Sequence, residues 1–186
     1  TRSGHAEVVK FMLEKHVNDK IVKLQEDNIK TQDEISSLQR ELCEERQNKF
    51  FYAAAEGNWN SLERLIDKVD IDKNDDRLGM TPLVIASLRG HAAVVGWLLE
   101  KGAKISAISR GGLTAIHGAC MKGHALTVQK LLNHDADSHL LEICTGQTPL
   151  LIASQNGHDD IVRMLLDGGT EVNKVDKSGR SSLYLA

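Results

Sequence analysis

Gly79-Met80-Thr81-Pro82-Leu83 opens a stretch that runs through Ala86, Gly90-His91 and Val94-Val95 to Leu98-Leu99-Glu100-Lys101-Gly102-Ala103, and its pattern returns along the chain. Gly146-Gln147-Thr148-Pro149-Leu150 leads through Ala153 and Gly157-His158 to Leu165-Leu166 in the same order. Glycines recur at Gly57, Gly90, Gly123 and Gly157, in steps of 33, 33 and 34 residues. His91, His124 and His158 each follow one of them. Ala86, Ala119 and Ala153 stand four residues before, and Thr81, Thr114 and Thr148 stand nine before. A fixed period of this length means that one supersecondary unit is being repeated.

Each unit has a physical reading. Thr81-Pro82 and Thr148-Pro149 mark a helix start: the hydroxyl caps free backbone N–H groups, and proline suits the first helical position. Both prolines of the chain stand at this one repeat position. The first helix ends at the glycine, which adopts the left-handed conformation without steric cost. A second helix carries Val94, Val95, Leu98 and Leu99, spaced to make one apolar face, and stops near Gly102 or Gly169. A short loop then leads to the next turn at Gly79, Gly112, Gly146 or Gly179. Neither helix can bury its face alone, but stacked neighbours can, which predicts an all-α solenoid of helix-turn-helix units.

These residues resemble the ankyrin repeat. The resemblance is close at 79–111 and 146–178, and it covers most of the chain beyond residue 48. Residues 112–145 match with departures: Ala115 replaces the proline, Asp135 replaces the helix-ending glycine, and one residue is inserted before Gly146. Residues 48–78 match weakly, through Ala53-Ala54-Ala55-Glu56-Gly57, Leu62, Leu65 and Ile66. The resemblance implies that His117 is structural and that Asp76 and Asp176 close their turns. Asn173, in the loop after a second helix, stands where ankyrin proteins can carry a hydroxylated asparagine. Turn geometry alone also favours Asn there.

Gly4 to Lys15 matches Gly90 to Lys101 almost position for position. Residues 1–16 therefore read as the second part of a preceding repeat, and 179–186 as the start of another, so the chain is expected to be a piece of a longer protein. Gly4 and Gly57 are 53 residues apart, one period plus an insertion of 20. His16 stands where the helix-stopping glycine belongs, and Asn48-Lys49 stand where Thr-Pro belongs. With both stops missing, one helix is expected from about Ala6 to about Ala55. Within 17–47, Ile21, Leu24, Asn28, Ile35, Leu38 and Leu42 fall on alternating three- and four-residue steps, the core of a heptad pattern, with polar Thr31 and Glu45 in the same series. Two readings stand side by side: a coiled coil pairing two chains, with Asn28 setting register, or a rigid charged spacer.

Composition narrows the function. The net charge of −3 and an aromatic content of 4% argue against a nucleic-acid surface, which needs basic charge and stacking rings. The three cysteines, Cys43, Cys120 and Cys144, show no CxxC pairing and read as reduced thiols of a cytoplasmic or, alternatively, nuclear protein. No phosphate-cradling glycine loop, GxSxG or HExxH is present, so the chain is read as non-enzymatic, with no cofactor and no metal. Of the eight histidines, His5, His91, His124 and His158 share one repeat position and are expected to bond neighbouring backbone. Cys120 and His124 are four apart, but Gly123 is expected to break the helix between them.

By the resemblance, partners lie along the loop tips and the first-helix face. The matching positions are Arg77, Leu78, Met80, Leu88 and Arg89; then Arg110, Gly111, Leu113, Met121 and Lys122; then Cys144, Thr145, Gln147, Gln155 and Asn156; then Lys177, Ser178 and Arg180. Of these 18, six are basic and none is acidic, where overall composition predicts about two of each. This suits a protein partner with an acidic, partly apolar segment. The expected function is a scaffold or adaptor module. Two alternatives are a substrate-recruiting segment of a larger enzyme, such as a kinase or ubiquitin ligase, and a self-associating array.

Overall fold

The computed structural model describes residues 2–26, 32–75 and 77–182, with side chains described from residue 11 onward except at 24–26, 32 and 33. The chain divides into two compact units, residues 1–47 and 48–186.

In the first unit, α1 runs Arg2–Glu26, straight through His16. A second helix, α2, runs Gln32–Glu56 and passes through Asn48-Lys49 into the second unit. Neither position carries a helix stop, for the reason seen in the sequence: the glycine and the Thr-Pro are absent. Continuity of one helix across 27–31 lies outside the described residues. Among the coil positions, Leu42 is buried and Ile21, Ile35 and Leu38 are half-buried. Asn28, Thr31 and the side chain of Leu24 lie outside the described residues.

The second unit is a stack of helix pairs. The last turns of α2 pair with α3 (Trp59–Leu65), followed by a 3₁₀ turn at Ile66–Lys68. Then come α4 (Pro82–Arg89) with α5 (Ala92–Glu100), α6 (Ala115–Lys122) with α7 (Ala125–Leu132), and α8 (Pro149–Gln155) with α9 (Asp159–Asp167). First helices pack on first helices and second on second: α4 on α6 on α8, and α5 on α7 on α9. One apolar cluster runs through all of them, from Phe50 through Leu83, Val95, Leu98, Ile116, Val128 and Leu131 to Leu150, Ile161 and Leu165. Among the described residues there is no β-strand, only an isolated antiparallel bridge between Val175 and Ser181.

The helix boundaries follow the sequence punctuation. The Thr81 and Thr148 hydroxyls accept from the Val84 and Leu151 amides at 3.3 and 3.2 Å. Where Ala115 replaces proline, Thr114 still starts the helix through a reciprocal capping box with His117. Gly90 and Gly123 close α4 and α6 at φ +78° and +74°. After α7 the glycine is missing, and Asp135 takes the left-handed position itself at φ +61°.

Candidate functional site

Each repeat is tied to its predecessor at two places, and these ties fix what the surface can present. On the helix side, the histidine after each first-helix glycine reaches back one repeat. His91, His124 and His158 each donate Nε2–H to a main-chain oxygen, of Ala55 at 3.0 Å, Leu88 at 3.2 Å and Met121 at 3.4 Å. The rings lie over Gly57, Gly90 and Gly123, so close that a Cβ there would meet them at 2.7 Å or less. These histidines are structural. His117 is structural too: it is buried, its Nδ1 faces Thr114 at the helix cap, and its Nε2 bonds the Leu140 oxygen at 3.0 Å. Burial holds its pKa below the ordinary 6.5, against the opposing pull of the Leu140 carbonyl and the Glu142 carboxylate.

On the turn side, four hairpin-like loops are each closed by one acceptor side chain. Asp75 takes the amides of Arg77, Leu78 and Met80 at 2.9–3.1 Å. Ser109 takes Leu113, Glu142 takes Cys144 and Thr145, and Asp176 takes Ser178 and Arg180. In the first of these loops the acceptor is Asp75, one residue earlier than the expected Asp76, which lies outside the described residues. The reason is length. The loops at Ser109 and Asp176 close back onto Leu113 and Arg180, four residues on, while those at Asp75 and Glu142 close onto Met80 and Gln147, five on. The extra residue before Gly146 thus has a counterpart before Gly79. Adjacent loops are laced by Arg110 N–H to Gly79 O at 2.9 Å and Lys177 N–H to Thr145 O at 3.0 Å, and the Cys144 thiol donates to Gly111 O at 3.4 Å.

Glu142 is the most perturbed acid of these loops. Burial opposes its charge, but the Thr145 hydroxyl and the Cys144 and Thr145 amides outweigh that and draw its pKa from 4.5 to about 2. The Glu142 carboxylate in turn raises the pKa of the exposed Cys144 thiol beside it. Burial pushes the Cys120 thiol far above its ordinary value. Neither cysteine is an activated nucleophile. Among the described residues, no group of three or more His, Cys, Asp or Glu is placed to hold a metal.

The expected binding residues fall into three kinds. Arg77, Leu78, Arg89, Arg110 and Lys122 are exposed; Met80, Leu88, Leu113 and Met121 beside them are half-buried. Gln155 and Asn156 are exposed as well, but Gln147 is 7% exposed and points its amide into a bond with Gln155. Arg180 is engaged with Asp176 through Nε at 2.8 Å and a second guanidinium nitrogen at 2.7 Å. The Arg180 amide, and after it that contact and the Ser178 amide, lower the Asp176 pKa against the opposing effect of burial. Lys177 spends its ammonium on the Ile143 and Cys144 oxygens at 2.6 and 3.1 Å. The structure also reveals a row the sequence reading missed: Ile108, Leu141 and Val175, each just before a turn-closing residue and about half exposed. Their spacing of 33 and 34 residues was the available signal.

A family model described as ankyrin repeats (3 copies) matches residues 1–109 and 106–176. Among curated proteins, the chain is 38% identical over 139 residues to the ankyrin repeat and KH domain-containing protein mask-1 of Caenorhabditis elegans, covering 72% of this chain and 5% of that protein. It is 32% identical over 126 residues to the E3 ubiquitin-protein ligase XBAT33 of Arabidopsis thaliana, covering 67% of this chain and 25% of that protein. A mouse fem-1 homolog A-like protein is 38% identical over 91 residues, 49% of this chain and 14% of its own. The chain thus spans a quarter or less of the length of each of these relatives. With the family model matching nearly the whole chain and the stacked, histidine-tied helix pairs in place, this chain belongs to the ankyrin-repeat family.

Proposed function

We propose that residues 48–186 form a non-catalytic protein-binding module that takes an acidic, partly apolar segment of a partner. The observation that carries this is the exposure of Arg77, Arg89, Arg110 and Lys122 on successive repeats, interleaved with half-buried Met80, Leu88, Leu113 and Met121. Exposed cations steer the encounter of an acidic partner, and the apolar and arginine contacts supply most of the affinity once water leaves. Turn-closing carboxylates Asp75 and Asp176 keep their charge, but their oxygens accept amides of their own loops. Three free cysteines fit a reducing compartment, the cytoplasm or the nucleus. Among the described residues no helix is long and apolar enough to cross a membrane.

The test is a partner captured by the wild-type chain, measured again with Arg77→Glu, Arg89→Glu and Arg110→Glu combined. Affinity should fall at least about tenfold and the salt dependence should flatten, since each lost charge pair is a screened interaction. Equal binding by the triple variant would sink the proposal. A second reading, that the module recruits substrates for a larger enzyme, is favoured by the similarity to an E3 ubiquitin-protein ligase. Pairing of chains through 17–47 rests on the heptad spacing, and light scattering across a concentration series tests it.

A further inference from the structure

The repeat at 146–178 breaks the pattern of the two before it. Where they place Leu88-Arg89 and Met121-Lys122, it places Gln155-Asn156, and where they place Met80 and Leu113 it places Gln147. Gln147 is 7% exposed and donates Nε2–H to Gln155 Oε1 at 2.6 Å. Gln155 is therefore held from beneath with its oxygen engaged, and its NH₂ is the group left to donate. Asn156 is held the opposite way: its Nδ2 donates to Ile152 O at 2.7 Å, leaving its side-chain oxygen to accept. Both residues are exposed.

One free donor and one free acceptor, each on a side chain fixed by an internal bond, offer what the main chain of a bound segment requires, a partner for a C=O and a partner for an N–H. We infer that this repeat reads the main chain of the bound segment, while 79–145 reads its side chains. The inference rests on the acidic-segment reading above. It commits to one occupant: an extended partner peptide whose acidic and aliphatic part lies on 79–145 and whose sequence-tolerant end lies on 146–178. Neutrality favours this division, because a carboxylate at that end meets amides where the earlier repeats offer Arg89 and Lys122. Gln147 is a positioning residue; its internal bond leaves Gln155 little rotamer freedom to lose on binding.

The test uses the full chain and fluorescein-labelled 12-residue peptides alternating Glu or Asp with Leu, read by anisotropy. The set includes versions with successive peptide nitrogens methylated and versions with the residues at either end replaced by Ser. Arg89→Glu should weaken the parent peptide at least about tenfold. Gln155→Ala and Gln147→Leu should each weaken it about three- to tenfold. Methylation at one terminal peptide nitrogen, which removes the N–H that the Asn156 oxygen would accept, should weaken wild type by a similar factor and add nothing in Asn156→Ala, while Ser at that end should change affinity less than twofold. If Arg89→Glu weakens binding but Gln155→Ala does not, the main-chain inference is overturned and the acidic-segment reading stands. If no acidic peptide binds wild type, the acidic-segment reading itself fails, and this inference with it.

Discussion

At the scale of single residues, Glu142 shows how a carboxylate can hold a loop that is one residue too long. It takes two amides and a hydroxyl where Ser109, in a shorter loop, takes one amide. Its folded pKa of about 2 lies below the ordinary 4.5, so its contribution is full above pH 4.5 and is lost as pH falls from 4.5 towards 2. Glu142→Gln should lower stability at pH 7 by on the order of 1 kcal/mol and remove that part of the acid dependence, visible as a smaller wild-type-minus-variant difference at pH 3 than at pH 7 in denaturant titrations. A constant difference across that range would refute the assignment. Residue roles were unevenly legible in the sequence. The repeat histidines stood out because a fixed period isolates them. The burial of Gln147 and the capture of Arg180 by Asp176 did not, because both depend on side-chain partners four to eight residues away whose direction no spacing reveals.

At the scale of elements, helix ends obeyed their chemistry even where the repeat motif lapsed. Ala115 starts α6 without proline because Thr114 and His117 cap each other. Asp135 ends the α7 region without glycine, at φ +61°, a conformation that costs an L-residue with a Cβ on the order of 1 kcal/mol. Asp135→Gly should therefore stabilise the chain by roughly 0.5–1 kcal/mol in urea midpoint measurements, and a loss of stability would show that the Asp side chain has a compensating role. The opposite change, Gly90→Ala, should cost about 2 kcal/mol or more, since the left-handed φ of +78° and the His124 ring both reject a Cβ. Elements were the most legible level, because caps and stops are local. Loop lengths were less so: with Asp75 and Asp76 adjacent, sequence alone does not say which one turns back.

At the scale of the whole molecule, the array was legible as a stack because no single helix pair can bury its own apolar face, and the period guaranteed that neighbours would. The apolar cluster is continuous from Phe50 to Leu165, so damage at one end should be felt at the other. The chain has two tryptophans, Trp59 and Trp97, in contact at 5.3 Å near the start of the array. Leu165→Ala, at the far end, should cost about 2–5 kcal/mol. Tryptophan fluorescence and far-ultraviolet dichroism should shift together in that variant. A fluorescence transition left in place while dichroism moves would mean that the repeats unfold piecemeal. What the sequence could not supply at this scale is the meaning of residues 17–47, since a heptad spacing with polar breaks is compatible with both a paired and an unpaired helix.

The tie between neighbouring repeats bears on how such a chain could grow. The histidine of one repeat grips a main-chain oxygen and rests on a glycine of the previous one, so the side chains at the gripped positions, Ala55, Leu88 and Met121, do not enter the bond. An in-frame duplication of residues 79–111 would present the copy of His91 with the Leu88 oxygen and Gly90, the same junction His124 already makes. A copying event of one whole period therefore leaves the histidine tie intact at the new seam, and the array can lengthen or shorten by whole units without losing that bond.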